Sequence, residues 1–142
     1  MPARVLIADD YDQLRRLMRR ALETAGYDVT DAADGPSADA ALACGGFACA
    51  VLDNRMPEPT GVQVAAAARA RGDATPILIV SGSITSDDLA AVAPPTYLLG
   101  KPFEFTALVA LIDQLVRRGV ADRSVTDTPR PPRRGWLRWS PR

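Results

Sequence analysis

Short apolar runs alternate along the chain with stretches of helical periodicity, and that alternation leaves few folds open. Residues 4–8, 28–32, 47–52, 76–80 and 97–99 have the length and apolar content of strands, with 28–32 the weakest and suited to a sheet edge. After the first run, Leu14, Leu17, Met18, Ala21, Leu22 and Ala25 mark one face of an amphipathic helix, closed by Gly26. Arg15, Arg16, Arg19 and Arg20 fall mainly on the remaining surface. Residues 37–44 form a short second helix stopped by Gly45-Gly46, and 62–71 an alanine-rich third closed by Gly72. Thr85 and Asp88 make a capping box that opens a fourth helix, which Pro94-Pro95 must end. Phe105, Leu108, Val109, Ile112, Leu115 and Val116 give the inner stripe of a fifth, with Leu111 beside it as an exposed leucine. Strict alternation of strand and helix implies a parallel sheet with helices on both faces. Right-handed crossovers then leave few topologies.

Three of the runs end in charge. The first runs into Asp9-Asp10, the third into Asp53, and the fifth, after Gly100, into Lys101-Pro102-Phe103. In an open α/β sheet, ligands bind outside the carboxyl ends of the strands. Three carboxylates and one lysine are therefore expected to converge there. Carboxylates at close range repel, and burial worsens the repulsion. A Mg²⁺ ion offsets it, since that ion prefers oxygen ligands and takes one or two carboxylates plus phosphate oxygens. A carboxylate can also accept a phosphoryl group as a nucleophile. Ser81-Gly82 ends the fourth run, between Asp53 and Lys101 in the chain. Taken alone, each motif has a plainer reading: a helix cap for Asp9-Asp10, a turn for Ser81, an exposed helix-start lysine for Lys101.

The ordered set Asp9-Asp10, Asp53, Met56-Pro57 with Gly61, Ser81-Gly82 and Lys101-Pro102-Phe103 resembles the receiver domain of two-component response regulators, over roughly residues 3 to 119. The resemblance implies a five-stranded parallel sheet of order 2-1-3-4-5, the flavodoxin-like receiver fold. It implies that Asp53 is the phosphoacceptor, served by a histidine kinase or phosphotransfer protein. Asp10, Asp53 and the backbone carbonyl of Arg55 would bind Mg²⁺ (or Mn²⁺) directly, with Asp9 acting through water. Lys101 would neutralise the other side of the phosphoryl group, its direction fixed by a cis bond to Pro102. The Ser81 hydroxyl would turn to the phosphoryl oxygen after transfer, with Gly82 leaving the site open. The side chains of Arg55 and Ser83 would border the site and tune phosphate lifetime, while Met56-Pro57 and Gly61 would shape the following loop. One departure stands out. Many receivers have an aromatic ring three residues before the lysine; here Leu98 holds that place and Tyr97 sits one earlier.

By the same resemblance, the chain is a phosphoacceptor that catalyses only its own phosphorylation and dephosphorylation. It signals by a population shift, through the face made by the fourth helix, fifth strand and fifth helix. Two other classes compete. A receiver-like interaction module would act without phosphate. A phosphatase or phosphotransferase of haloacid-dehalogenase type would want a second Asp two residues after the nucleophile, where Arg55 stands.

The charge balance divides the chain. Residues 1–120 carry 11 basic and 15 acidic side chains, a net −4, and residues 121–142 carry 6 Arg and 2 Asp, a net +4. The expected domain is 1–120. The tail, with Pro129, Pro131, Pro132 and Pro141, cannot offset ordering entropy by burial and reads as a disordered basic arm, too short for a DNA-binding domain. Trp136 and Trp139 among its arginines suit a docking segment for a protein, an anionic membrane or nucleic acid, and the opposite charges of tail and domain leave open a tail that folds back on the domain. No apolar run nears the length of about 18 residues needed to span a bilayer, and no secretory leader is evident, so a cytoplasmic location is expected. Cys44 and Cys49 have no metal-ligand spacing and read as two small buried hydrophobes in a reducing compartment.

Overall fold

The computed structural model describes residues 2–84, 88–90, 92–124 and 138–139. Strands β1 (Arg4–Ala8), β2 (Asp28–Ala32), β3 (Cys49–Asp53), β4 (Ile77–Ser81) and β5 (Thr96–Gly100) alternate with helices α1 (Asp12–Thr24), α2 (Gly35–Cys44) and α3 (Gly61–Ala70). Helix α4 (Phe105–Ser124) follows β5, and a two-residue strand β6 (Arg138–Trp139) comes last. Helix α4 is the fifth helix of the sequence reading. The expected fourth helix lies partly outside the described residues, and 88–90 within it form a turn.

All strand pairings are parallel, in the order β2-β1-β3-β4-β5-β6. The expected 2-1-3-4-5 order is present, with one strand added at its end. Leu98 pairs with Arg138 and Leu99 with Trp139, so part of the tail is strand where disorder was expected. Helix α4 also continues to Ser124, past the expected boundary at 120. The remaining tail residues lie outside the described set.

The alternation of side chains along each strand divides the core into two layers. Leu6, Leu52, Ile77, Ile79 and Leu98 pack with Leu42, Val64 and Ala68 on the α2–α3 face. Val5, Ile7, Val51, Leu78, Tyr97 and Leu99 pack with Met18, Leu22, Leu108 and Ile112 on the α1–α4 face. The helices of the second face depart from the sequence reading. Leu111 is fully buried rather than an exposed leucine, whereas Leu17 of the expected inner stripe is 45% exposed. Cys49 is buried in β3 as expected, but Cys44 is exposed at the end of α2. None of the described helices is long and apolar enough to cross a membrane.

Register sets the site. Ala8 pairs with Leu52, Asp53 with Val80, and Ser81 with Gly100. The residues that end or immediately follow β1, β3, β4 and β5 therefore emerge at one level on the carboxyl edge of the sheet.

Candidate phosphoacceptor site

Asp9, Asp10 and Asp53 come together at that edge, each with a carboxylate oxygen within 4.8 Å of the others. Asp9 and Asp53 are buried and Asp10 is exposed. Lys101, one residue past β5, places its ammonium 2.8 Å from Asp53 Oδ1. That contact is an ion pair without hydrogen-bond geometry, since the same oxygen has no hydrogen-bond partner among the described residues. The Lys101 N–H donates to the Ser81 carbonyl at 3.0 Å, so the β4–β5 pairing continues to the lysine itself. Its peptide bond to Pro102 is cis, as the resemblance implied.

The acids are held by their backbone. Asp9 Oδ1 accepts from the Tyr11 N–H at 2.9 Å, while its Oδ2 is buried without a partner. Burial pushes the Asp9 carboxyl above its ordinary value, and the charges of Asp53 and Asp10 push the same way. The Tyr11 N–H and the Lys101 ammonium oppose them. Three carboxylates facing one ammonium, with an orphaned buried oxygen among them, fit a hard divalent cation that takes oxygen ligands. Arg55 is exposed in the loop after β3, and its carbonyl accepts no backbone hydrogen bond among the described residues.

The other expected residues flank this cluster. Ser81 is buried, and its Oγ accepts from the N–H groups of Ser83 and Ile84, each at 3.1 Å. The hydroxyl keeps its proton as a donor. Gly82 is exposed, and an added Cβ would meet no atom closer than the Lys101 Cβ at 3.7 Å, so the site is open there. Leu98 is buried on the α2–α3 face and Tyr97 on the α1–α4 face. Adjacent strand residues face opposite ways, so Tyr97 cannot take the place that Leu98 fills.

Three site supports escaped the sequence reading. Asn54 Oδ1 accepts from the Val62 N–H at 3.0 Å, tying the end of β3 to the start of α3. Thr60 and Gln63 form a reciprocal capping box there, legible in principle as Thr-x-x-Gln before an apolar run. Arg15, expected on the outer surface of α1, instead reaches the Asp9 carbonyl with Nη1 at 2.8 Å.

A family model described as the response regulator receiver domain matches residues 5–113. The response regulator MprA of Mycolicibacterium vanbaalenii is 35% identical over 124 residues, covering 86% of this chain and 54% of that protein. The transcriptional regulatory protein TcrA of Mycobacterium tuberculosis is 33% identical over 131 residues, covering 91% and 49%. The chain thus spans about half the length of these curated relatives. Among solved structures, the chemotaxis protein CheY4 of Vibrio cholerae matches with a TM-score of 0.73 at 30% identity, covering 81% of this chain and 99% of that one. A CheY-like receiver domain protein from Methanospirillum hungatei matches in fold with a TM-score of 0.78 at 22% identity, covering 86% and 99%.

Proposed function

The chain belongs to the response regulator receiver family, and we propose that it takes a phosphoryl group on Asp53 from a histidine kinase or phosphotransfer protein. One observation carries this reading: three carboxylates within 4.8 Å of one another, with an ammonium 2.8 Å from Asp53, at the carboxyl edge of a parallel sheet. An Asp53 oxygen forms the new P–O bond as the donor's bond to phosphorus breaks, and the donor leaves with the electron pair. The transition state is loose, so positioning and charge stabilisation supply most of the catalysis.

Lys101 is the fixed cation on one side of the transferred group. Asp10, Asp53 and the Arg55 backbone carbonyl would hold Mg²⁺ (or Mn²⁺), with Asp9 acting through water. When bound, the ion supplies charge neutralisation at the phosphoryl oxygens. The Ser81 hydroxyl serves as a donor to the phosphoryl group after transfer. Ser83 and the Arg55 side chain border the site and tune phosphate lifetime. The domain is a signalling phosphoacceptor in the cytoplasm rather than an enzyme with an external substrate. It acts by shifting its conformational population toward a state that an output protein recognises on the face around β5 and α4. Because Tyr97 faces the other layer, it does not stand in for the aromatic ring that many receivers have three residues before the lysine. The segment beyond α4 is rich in arginine, and its residues 138–139 pair with β5.

Incubation with acetyl phosphate and Mg²⁺, followed by intact-mass measurement, tests the reading. The expected product carries one phosphoryl group, which chelation of the metal or Asp53→Asn prevents. Full labelling of Asp53→Asn would refute the assignment. Absence of labelling in the parent would favour an interaction module, and sustained phosphate release from many esters a phosphatase.

A further inference from the structure

Both acids of the β1–α1 turn depend on one peptide plane, the bond that joins Asp9 to Asp10. Three contacts fix Asp9. Its N–H donates to the Ala32 carbonyl at 3.2 Å, its Oδ1 accepts from the Tyr11 N–H, and its carbonyl oxygen accepts from Arg15 Nη1 at 2.8 Å. The first two use backbone partners that any neighbouring sequence supplies. The third needs this particular side chain.

Arg15 is itself held firmly. Its Nε pairs with Asp31 Oδ2 at 3.1 Å and its Nη2 with Asp12 Oδ1 at 2.7 Å. Asp31, on β2, is held in turn by Arg19 Nη1 at 2.6 Å. The Arg15 side chain is only 13% exposed. Thus α1, β2 and the acid-bearing turn meet on one guanidinium.

We propose that Arg15 is a positioning residue for the acid pair: it fixes the Asp9–Asp10 peptide plane and thereby places the Asp10 carboxylate at the cation site. The inference rests on reading the cluster as a metal-dependent phosphoacceptor site. Asp10 is exposed, and its side chain makes no hydrogen bond or ion pair among the described residues. What places it is therefore its backbone alone, through the position of the Asp10 Cα. A peptide unit is planar, so holding the carbonyl oxygen of residue 9 also holds the N–H of residue 10. Arg15 acts through geometry rather than charge. Its fork is divided between two other carboxylates and a carbonyl, and Lys101 is the cation that acts on the Asp9 carboxyl. A lysine has a single nitrogen and cannot span three acceptors that lie apart.

The test is titration of Mg²⁺ alone into the isotope-labelled full chain, followed by amide shifts, for the parent and for Arg15→Ala, Arg15→Lys and Arg19→Ala. Partners that orient metal ligands are typically worth 10–100-fold in affinity, so both Arg15 variants should weaken Mg²⁺ binding by roughly tenfold. Arg19→Ala removes a partner of Asp31 but leaves the three contacts of Arg15 itself in place, so its affinity should stay well above that of both Arg15 variants. Acetyl phosphate labelling should show the same split: a higher Mg²⁺ midpoint in the Arg15 variants, with the rate restored at saturating metal. If Arg15→Ala unfolds, Arg15→Lys gives the result. Parent-like affinity in Arg15→Lys would mean that charge suffices and would overturn the proposal. So would lower melting with an unchanged Mg²⁺ midpoint, the mark of a purely structural arginine. A parent that binds no Mg²⁺ would instead overturn the metal-dependent reading, and this inference with it.

Discussion

Asp9 binds its proton more tightly in the folded protein than in the unfolded chain, chiefly because it is buried and secondarily because Asp53 and Asp10 are close. The consequence for stability has a definite sign. Below the ordinary value of 3.8 both states are protonated, and the protonated Asp9 contributes fully to stability. As pH rises through the raised native value, that contribution is lost, because the native state must ionise a group the unfolded chain ionises more readily. Without divalent metal, Asp9→Asn should therefore be more stable than the parent at neutral pH, by about 1 kcal/mol if it relieves one unsatisfied buried group. The advantage should shrink as pH falls toward the ordinary carboxylate range. Urea denaturation in chelator between about pH 4 and about pH 8 measures this, and a variant less stable at every pH would contradict it. The acids themselves were legible in the sequence, because a charged residue straight after an apolar strand is a local signal. Their support by Arg15 was not. Helical periodicity assigns a residue to a face, but it does not report that a long side chain on the outer face can bend back to a neighbouring turn.

At the scale of elements, the contact between β3 and α3 sets the position of the phosphoacceptor. Gly61 opens α3 directly against the end of β3, where an added Cβ would lie 2.7 Å from the Asp53 carbonyl oxygen and 3.1 Å from its carbon. Both are backbone atoms, so a larger residue must move β3, α3 or both. Gly61→Ala is expected to cost about 1–3 kcal/mol, the usual range for overpacking, and to slow labelling of Asp53 at saturating Mg²⁺. Urea melts and acetyl phosphate labelling check the two effects, and unchanged labelling would mean that the strain relaxes away from Asp53. The sequence marked Gly61 as a loop-shaping residue, but a close approach between strand and helix is a tertiary fact that no local pattern encodes. Four of the strands were legible as short apolar runs bounded by glycine, proline or charge, whereas β2, with two aspartates and a threonine, was the weakest signal. The segment before β5 was less so. Its Thr85–Asp88 capping box predicts a helix, whereas residues 88–90 form a turn and Arg69 of α3 reaches across to the carbonyls of Ala93 and Pro95, at 2.9 and 2.7 Å. A tertiary clamp of that kind competes with a local propensity and is invisible to it.

For the whole molecule, the departure from the expected sheet order is the strand added by the tail. Composition argues for disorder beyond α4, because the charge and proline content leave little to bury. Yet a parallel sheet that ends at β5 presents unpaired backbone groups, and an edge of that kind accepts any extended segment within reach. Residues 138–139 fill two register positions on it. Hydrogen bonds of this sort contribute about 0.5–1.5 kcal/mol each, while fixing each residue's backbone costs about 1–2 kcal/mol, so the two nearly cancel. Truncation after Ser124 should therefore leave the melting of the domain and the labelling of Asp53 close to those of the full chain. The tail carries its own reporter, since both tryptophans of the chain, Trp136 and Trp139, lie in it. With urea, tryptophan emission should change before far-ultraviolet circular dichroism registers unfolding of the domain, as β6 leaves an otherwise intact sheet. A single coincident transition, together with a truncated chain that melts much earlier or no longer accepts phosphate, would show instead that the sixth strand is part of the cooperative fold.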